Sequence, residues 1–166
     1  MVLVALLAPW VAPSDPNAIR ETSTFAAPGT LFPFGTDELG RDVLSRVIWG
    51  SRIALLVGVS SVAVGTTAGG FLGLLSGYFG GWFDTAVQRL VDTIMAFPLL
   101  VLALTLVAML GASVQNVVAA VSVVLLPQAA RVVRSAVLGV KPAQYVEGAR
   151  AIGCGPGRIL VYHVLP

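Results

Sequence analysis

From Ile53 to Phe83 the chain carries no aspartate, glutamate, lysine or arginine. A stretch that long without charge cannot cover itself in water. About 24 of its residues, Ile53 to Ser76, rise roughly 36 Å as a helix, enough to cross a hydrocarbon core near 30 Å thick. The rest of the chain agrees: 57% of residues are hydrophobic and 11% charged, against about 45–50% and about 25% in soluble domains. Lipid admits only helices or closed barrels, because every backbone polar group must be paired internally. The apolar runs are continuous rather than alternating, so helices are expected.

The 166 residues carry a net charge of +2, too little to argue for a nucleic-acid partner. The single cysteine, Cys154, excludes an internal disulfide. No basic segment precedes the first apolar stretch, so a cleaved signal peptide is not expected.

Val2 to Val11 is apolar but covers only roughly 15 Å as a helix; residues 1–11 read as part of a first span. Ala12 to Pro33, rich in Pro, Ser, Asp and Thr, reads as a loop. Thr36 or Asp37 is expected to cap a helix, with Asp37 and Glu38 at the positive end of its dipole. Leu39, Val43, Leu44, Val47 and Ile48 would share an apolar face, and Asp42 and Arg46 would pair at i,i+4. Residues 12–52 therefore read as an external loop with an amphipathic helix lying on the membrane.

Three fuller spans are expected at about 53–77, 94–111 and 114–134. In the first, Gly65, Gly69, Gly73 and Gly77 stand four apart. Such overlapping GxxxG units let another helix approach closely. Gly80-Gly81 breaks this helix, an amphipathic stretch from Trp82 to Phe97 leads into the second span, and Pro98 follows. Part of that amphipathic helix is expected to continue into the span. Gly111 to Asn116 is a polar turn, and Pro127 is expected to kink the third span. Arg131 and Arg134 end it and are expected to snorkel to the interface. Ser60, Ser61, Thr66, Thr67, Ser76 and Gln128 are the polar residues in or near the spans; such hydroxyls more often bond to their own helix than line a solute path.

Arg131, Arg134, Lys141, Arg150 and Arg158 cluster after the last span. The positive-inside rule then puts residues 135–166 in the cytoplasm, 12–52 outside, 78–93 inside and 111–116 outside. In the cytoplasmic stretch Pro142 can start a short helix and Gly153 can end it. Tyr145, Ala149 and Ile152 would form its apolar face; Gln144, Glu147 and Arg150 are polar. A helix this short does not hold alone in water, so it must lean on a partner. A second short helix is expected at about Arg158 to Val164.

These residues carry a resemblance. Glu147-Gly-Ala149, then three residues, then Gly153, with Leu165-Pro166 following, resembles the E-A-A-x-x-x-G loop of binding-protein-dependent import permeases. Phe34-Gly-Thr-Asp-Glu-Leu-Gly-Arg-Asp-Val-Leu-Ser-Arg46 resembles an external stretch of their dipeptide/oligopeptide/nickel class. So do Gly77-Tyr-Phe-Gly-Gly-Trp-Phe-Asp84, Arg89-Leu-Val-Asp92 and Ala96-Phe-Pro98. The resemblance covers about Ala8 to Pro166.

It implies an all-α membrane protein, a polytopic transmembrane helix bundle of the ATP-binding-cassette importer type I permease kind. Residues 53–166 would be its transmembrane domain, with the coupling loop at 135–166. The helix around Glu147 would sit in a groove of an ATP-binding subunit, whose closure rocks the spans between outward- and inward-facing states. Docking would fall to Tyr145, Glu147, Gly148, Ala149, Arg150 and Gly153. Position 148 is Gly where the family pattern has Ala. Partners would be ATP-binding subunits, a second homologous permease subunit, a periplasmic or lipid-anchored solute-binding protein, and membrane lipid. The setting would be a bacterial or archaeal cell membrane. No cofactor is expected on this chain, ATP being used by the partner subunit. Family members have a whole first span and two further spans after Leu-Pro, so the chain is expected to be truncated at both ends.

No nucleotide site is expected here: Gly153-Cys-Gly-Pro-Gly157 lacks the Lys-Ser or Lys-Thr of a P-loop. His163 and Cys154 stand alone and read as structural. A self-sufficient channel or secondary transporter is the competing reading, but it would usually carry ionisable groups mid-membrane. An intramembrane enzyme would need a nucleophile and base, and neither pattern is present.

Overall fold

The computed structural model describes residues 2–164; Leu165-Pro166 of the loop motif lies outside them. The chain divides into two compact units, residues 1–59 and 60–166.

The first unit opens with two short helices, α1 (Val2–Leu6) and α2 (Ala8–Val11). A 3-10 turn follows at Glu21–Ser23. The unit ends in the first part of α3 (Val43–Phe79). The helix expected from Thr36 or Asp37 does not begin there. Asp37 is used in a turn instead: its Oδ1 accepts the Leu39 and Arg41 amides, both at 2.9 Å, and its Oδ2 accepts Arg41 Nε at 2.8 Å. The residue that caps α3 is Asp42, whose Oδ2 accepts the Ser45 amide at 3.1 Å and the Ser45 hydroxyl at 2.5 Å. The side-chain oxygen thereby satisfies one of the orphan amides at the helix start. Arg46 pairs with Asp37 rather than with Asp42. Ser14 joins the cap, its amide donating to Ser45 Oγ at 3.0 Å. Partial burial pushes the Asp37 carboxyl up. The amides of Arg41 and Leu39 and the Arg41 guanidinium more than offset this and hold it at about 2.

α3 runs 37 residues without a break, about 55 Å at 1.5 Å per residue. No proline interrupts it. Alongside the remainder of α3, the second unit contains α4 (Gly81–Met95), α5 (Leu99–Leu110), α6 (Val114–Val140), α7 (Gln144–Ala151) and α8 (Pro156–Ile159), which passes into a π turn over Leu160–Val164. α3 and α6 are each long and apolar enough to cross a membrane. α4 and α5 together also qualify, but they are bent by 91° at their junction. The expected continuation of α4 into the span is thus corrected. Pro98 cannot donate to the ladder, and a proline disfavours the helical region for the residue before it, so the axis breaks there. α6 extends past Arg134 to Val140 and stays helical through Pro127, which is fully buried.

The α5–α6 turn closes on its own side chains. Ser113 caps α6 by accepting the Asn116 amide at 3.2 Å, and Asn116 Nδ2 donates to the carbonyls of Leu110 at 2.6 Å and Gly111 at 3.0 Å. α5 exposes Leu99, Leu100, Val101, Leu104, Met109 and Leu110, a surface suited to lipid.

The glycine ridge of α3 faces α6. A Cβ on Gly65 would stand 2.8 Å from the Ser122 carbonyl oxygen, on Gly69 2.2 Å from that of Leu126, and on Gly73 2.2 Å from that of Ala130. On Gly77 it would meet Val137 Cβ at 3.0 Å. Any side chain at the first three would push the backbones apart. Beside the ridge, the Ser122 hydroxyl stands 2.7 Å from the Val118 carbonyl of its own helix and 3.2 Å from the Ser61 carbonyl of α3, and Ser61 Oγ donates across to the Val118 carbonyl at 3.4 Å. Thr66 and Ser76 instead bond to their own helix.

Candidate functional site: the short helix after α6

α7 is eight residues long, too short to persist by itself. Two residues fix it. Val146 is fully buried and Ala149 nearly so, at i and i+3 on one face. They join Leu74 and Tyr78 of α3, Val137 of α6, Ile159 at the end of α8 and Leu160 just after it in one apolar cluster. The sequence-based face of Tyr145, Ala149 and Ile152 is therefore corrected. Tyr145 is 56% exposed and Ile152 81% exposed; only Ala149 of the three points inward. Val146, Tyr78 and Val137 join the site although the sequence pattern does not single them out. The usable signal was the Val146–Ala149 spacing, which competes with the Tyr145–Ala149–Ile152 spacing.

The end of α7 follows from one glycine. Gly153 has φ of +82°, a region that side chains with a Cβ rarely adopt. Its amide donates to the Arg150 carbonyl at 2.9 Å, and the Cys154 amide donates to the Ala149 carbonyl at 3.0 Å. These are the two bonds of a Schellman ending, and Cys154 packs with the apolar cluster beside Ala149, as that ending favours. The chain then restarts at Pro156, two residues earlier than the expected Arg158, because proline is preorganised for a first helical position.

Two cations stand over one ring. The Arg150 guanidinium lies 5.8 Å and the Lys141 ammonium 6.0 Å from the Tyr78 centroid. The ring face attracts both. Tyr78 itself is almost buried. The ends of α3, α6 and α7 are thus held at a single point.

What remains outward is a stripe. Tyr145, Gly148 and Ile152, at i, i+3 and i+7, are exposed, as are Glu147 and Arg150. A Cβ on Gly148 would meet nothing within 4 Å. α7 is therefore anchored along one face and open along the other, with an exposed aromatic, an exposed isoleucine and one charge of each sign.

Relatives give this arrangement a context. The chain is 36% identical to a dipeptide transport system permease protein of Alkalihalophilus pseudofirmus, over 99% of the chain and 54% of that protein. It is 39% identical to a glutathione transport system permease protein of Pectobacterium atrosepticum, over 100% of the chain and 56% of that protein. It is 38% identical to a probable D,D-dipeptide transport system permease protein of Escherichia coli, over 99% and 55%. The chain spans about half the length of the curated relatives it matches. Residues 69–166, which include the glycines from Gly69 onward, α4 to α6 and the whole of α7, match the model of one family, and the chain belongs to that family, the binding-protein-dependent transport system inner membrane components.

Proposed function

We propose that this chain is part of the permease subunit of an ATP-binding-cassette importer for peptides, and that α7 is its coupling helix. The observation that carries the reading is the two-sidedness of α7. Val146 and Ala149 bind it to the ends of α3 and α6, while Tyr145, Gly148 and Ile152 face outward, exposed. A short helix held in this way can be pushed without coming loose. A groove on a separate ATP-hydrolysing subunit would take the open stripe, with Glu147 and Arg150 as its polar rim. Gly153 sets where the helix stops.

Peptides are favoured as cargo because relatives are named for dipeptides, glutathione and D,D-dipeptides. The motif resemblance alone left nickel open. A second homologous permease subunit, two ATP-binding subunits and a periplasmic or lipid-anchored binding protein would complete the importer. In a bacterial or archaeal inner membrane, the cluster of Arg131, Arg134, Lys141, Arg150 and Arg158 supports a cytoplasmic position for 135–166.

The test uses the single cysteine. Replacing Cys154 by Ser, together with any other cysteine of the transporter, removes the background thiols, and Ile152→Cys then supplies one on the open face of α7. In the assembled transporter, a crosslinker at this thiol is expected to capture the ATP-binding subunit. An impermeant thiol reagent is expected to label it only when the cytoplasmic side is open. Labelling from outside, or solute flux that persists without ATP, would replace this reading with that of a self-sufficient channel.

A further inference from the structure

α4 meets α6 through two ion pairs. Arg134 donates Nε to Asp84 Oδ1 and Nη2 to Asp84 Oδ2, each at 2.6 Å. Arg131 donates Nη2 to Asp92 Oδ1, also at 2.6 Å. The Asp84 pair is the more protected, its side chains 16% and 29% exposed against 53% and 48% for Asp92 and Arg131. Val87 and Val91 pack on Ala130 beside them. Apolar contacts of that size resist separation but tolerate sliding. A two-bonded guanidinium–carboxylate pair fixes both register and orientation.

Both arginines lie on the same side of Pro127. A proline there removes the amide that would otherwise pair with the carbonyl of Val123, so the ladder of α6 lacks one bond at that point although the helix continues through it. The 91° elbow of α4 and α5 lies beside it: a cavity of about 330 Å³ is lined by Met95, Phe97, Leu99, Val124, Pro127 and Gln128. The elbow therefore has free volume next to a break in the neighbouring ladder. Past Pro127, by contrast, α6 is bound to α4 by the ion pairs and to α7 by the Tyr78 cluster.

We propose that Asp84, Arg134, Asp92 and Arg131 are positioning residues for coupling: they lock α4 to the half of α6 after Pro127, so that displacement of α7 is delivered to the α4–α5 elbow. The proposal rests on α7 being the helix that docks on the ATPase. With the pairs intact, α4, the end of α6 and α7 move as one body together with the end of α3, which Gly73 and Gly77 hold against Ala130 and Val137, and the bend is taken up at Ala96 to Pro98. Without them α7 still docks, but its motion is lost in slippage between α4 and α6.

The experiment compares Asp84→Arg, Arg134→Asp and the double reversal in the complete transporter in proteoliposomes. Three readouts are taken: co-purification of the ATP-binding subunits, ATP hydrolysis, and solute moved per ATP. Each single reversal is expected to keep the subunits and to lower solute per ATP by about tenfold or more, while the double reversal recovers most of it, as coupled partners do. An unchanged ratio in the single variants, or no recovery in the double variant, overturns the proposal. Failure of the docking reading would look different, because the unsubstituted chain would then hold no ATP-binding subunit. Should a reversal block insertion, Asp92→Asn makes the same comparison at the more exposed pair: a lowered ratio supports the proposal and an unchanged one overturns it.

Discussion

Gly73 lies so close to Ala130 that a Cβ on it would stand 2.2 Å from the Ala130 carbonyl oxygen. Gly70, on the same helix, would place its Cβ 3.5 Å from Val133 Cγ2, an ordinary contact. The two glycines predict opposite outcomes. Gly73→Ala should force α3 and α6 apart and destabilise the bundle by about 1–3 kcal/mol. Gly70→Ala should be neutral or slightly stabilising, since it reduces the freedom of the unfolded chain. Thermal unfolding in lipid nanodiscs reads both; equal melting temperatures for the two variants would contradict the glycine-ridge account.

Gly148 is the one position where α7 departs from the family pattern, and nothing crowds it. Gly148→Ala should stabilise α7 by up to about 1 kcal/mol. The gain should appear as slower amide exchange across Gln144–Ala151 with little change elsewhere. Faster exchange there would mean that the site is crowded after all.

Val146 should be the anchor that α7 cannot lose. Val146→Ala removes much of a fully buried side chain and should cost about 1–3 kcal/mol, mostly as local detachment of α7 rather than global unfolding. Cys154, half-buried in the same cluster, reports this directly: its thiol should react faster in the variant. An unaltered rate would show that α7 is held by other means.

Asp37 titrates in a direction that fixes an acid limit for the first unit. Its carboxyl falls from 3.8 to about 2 on folding. A lowered value means that the contribution to stability is fully present above pH 3.8 and is lost as pH falls through about 2. Exchange of the Leu39 and Arg41 amides should therefore accelerate over that window. Asp37→Asn should exchange faster at neutral pH and show no such transition. A transition near pH 6 would point to another group.

Much of the fold was legible because its signals are local or periodic. The charge-free run announced α3, and four glycines at a spacing of four announced a close neighbour without saying which helix it was. The start of α3 was misread for a physical reason. Thr36, Asp37 and Asp42 are all cap-forming residue types; the loop folding back from Ala26 and Ser23 commits the Thr36 hydroxyl elsewhere, and the turn to Leu39 and Arg41 commits the Asp37 carboxylate. The ion pairs of α4 and α6 join residues 50 and 39 positions apart, beyond any periodic pattern. The arginines were accordingly expected to seek the interface. Pro98 is visible in the sequence, yet the helix before it is expected there to run on into the span; the 91° bend depends on how α4 and α5 each pack on α6. At the candidate site, Gly153 was readable from its residue type alone. The inward face of α7 was not, because Tyr145, Val146, Ala149 and Ile152 offer two overlapping apolar stripes, and only the cluster around Tyr78 selects between them.

The turn between α5 and α6 has a consequence for how the protein is made. Asn116 takes the last carbonyls of one helix while Ser113 takes an early amide of the other, so the tip of this hairpin satisfies its own polar groups. Unpaired backbone is the main penalty on moving peptide into hydrocarbon. A hairpin that has already paired its tip can pass from the translocation machinery into the bilayer as a single unit, before the later loop with α7 has been synthesised.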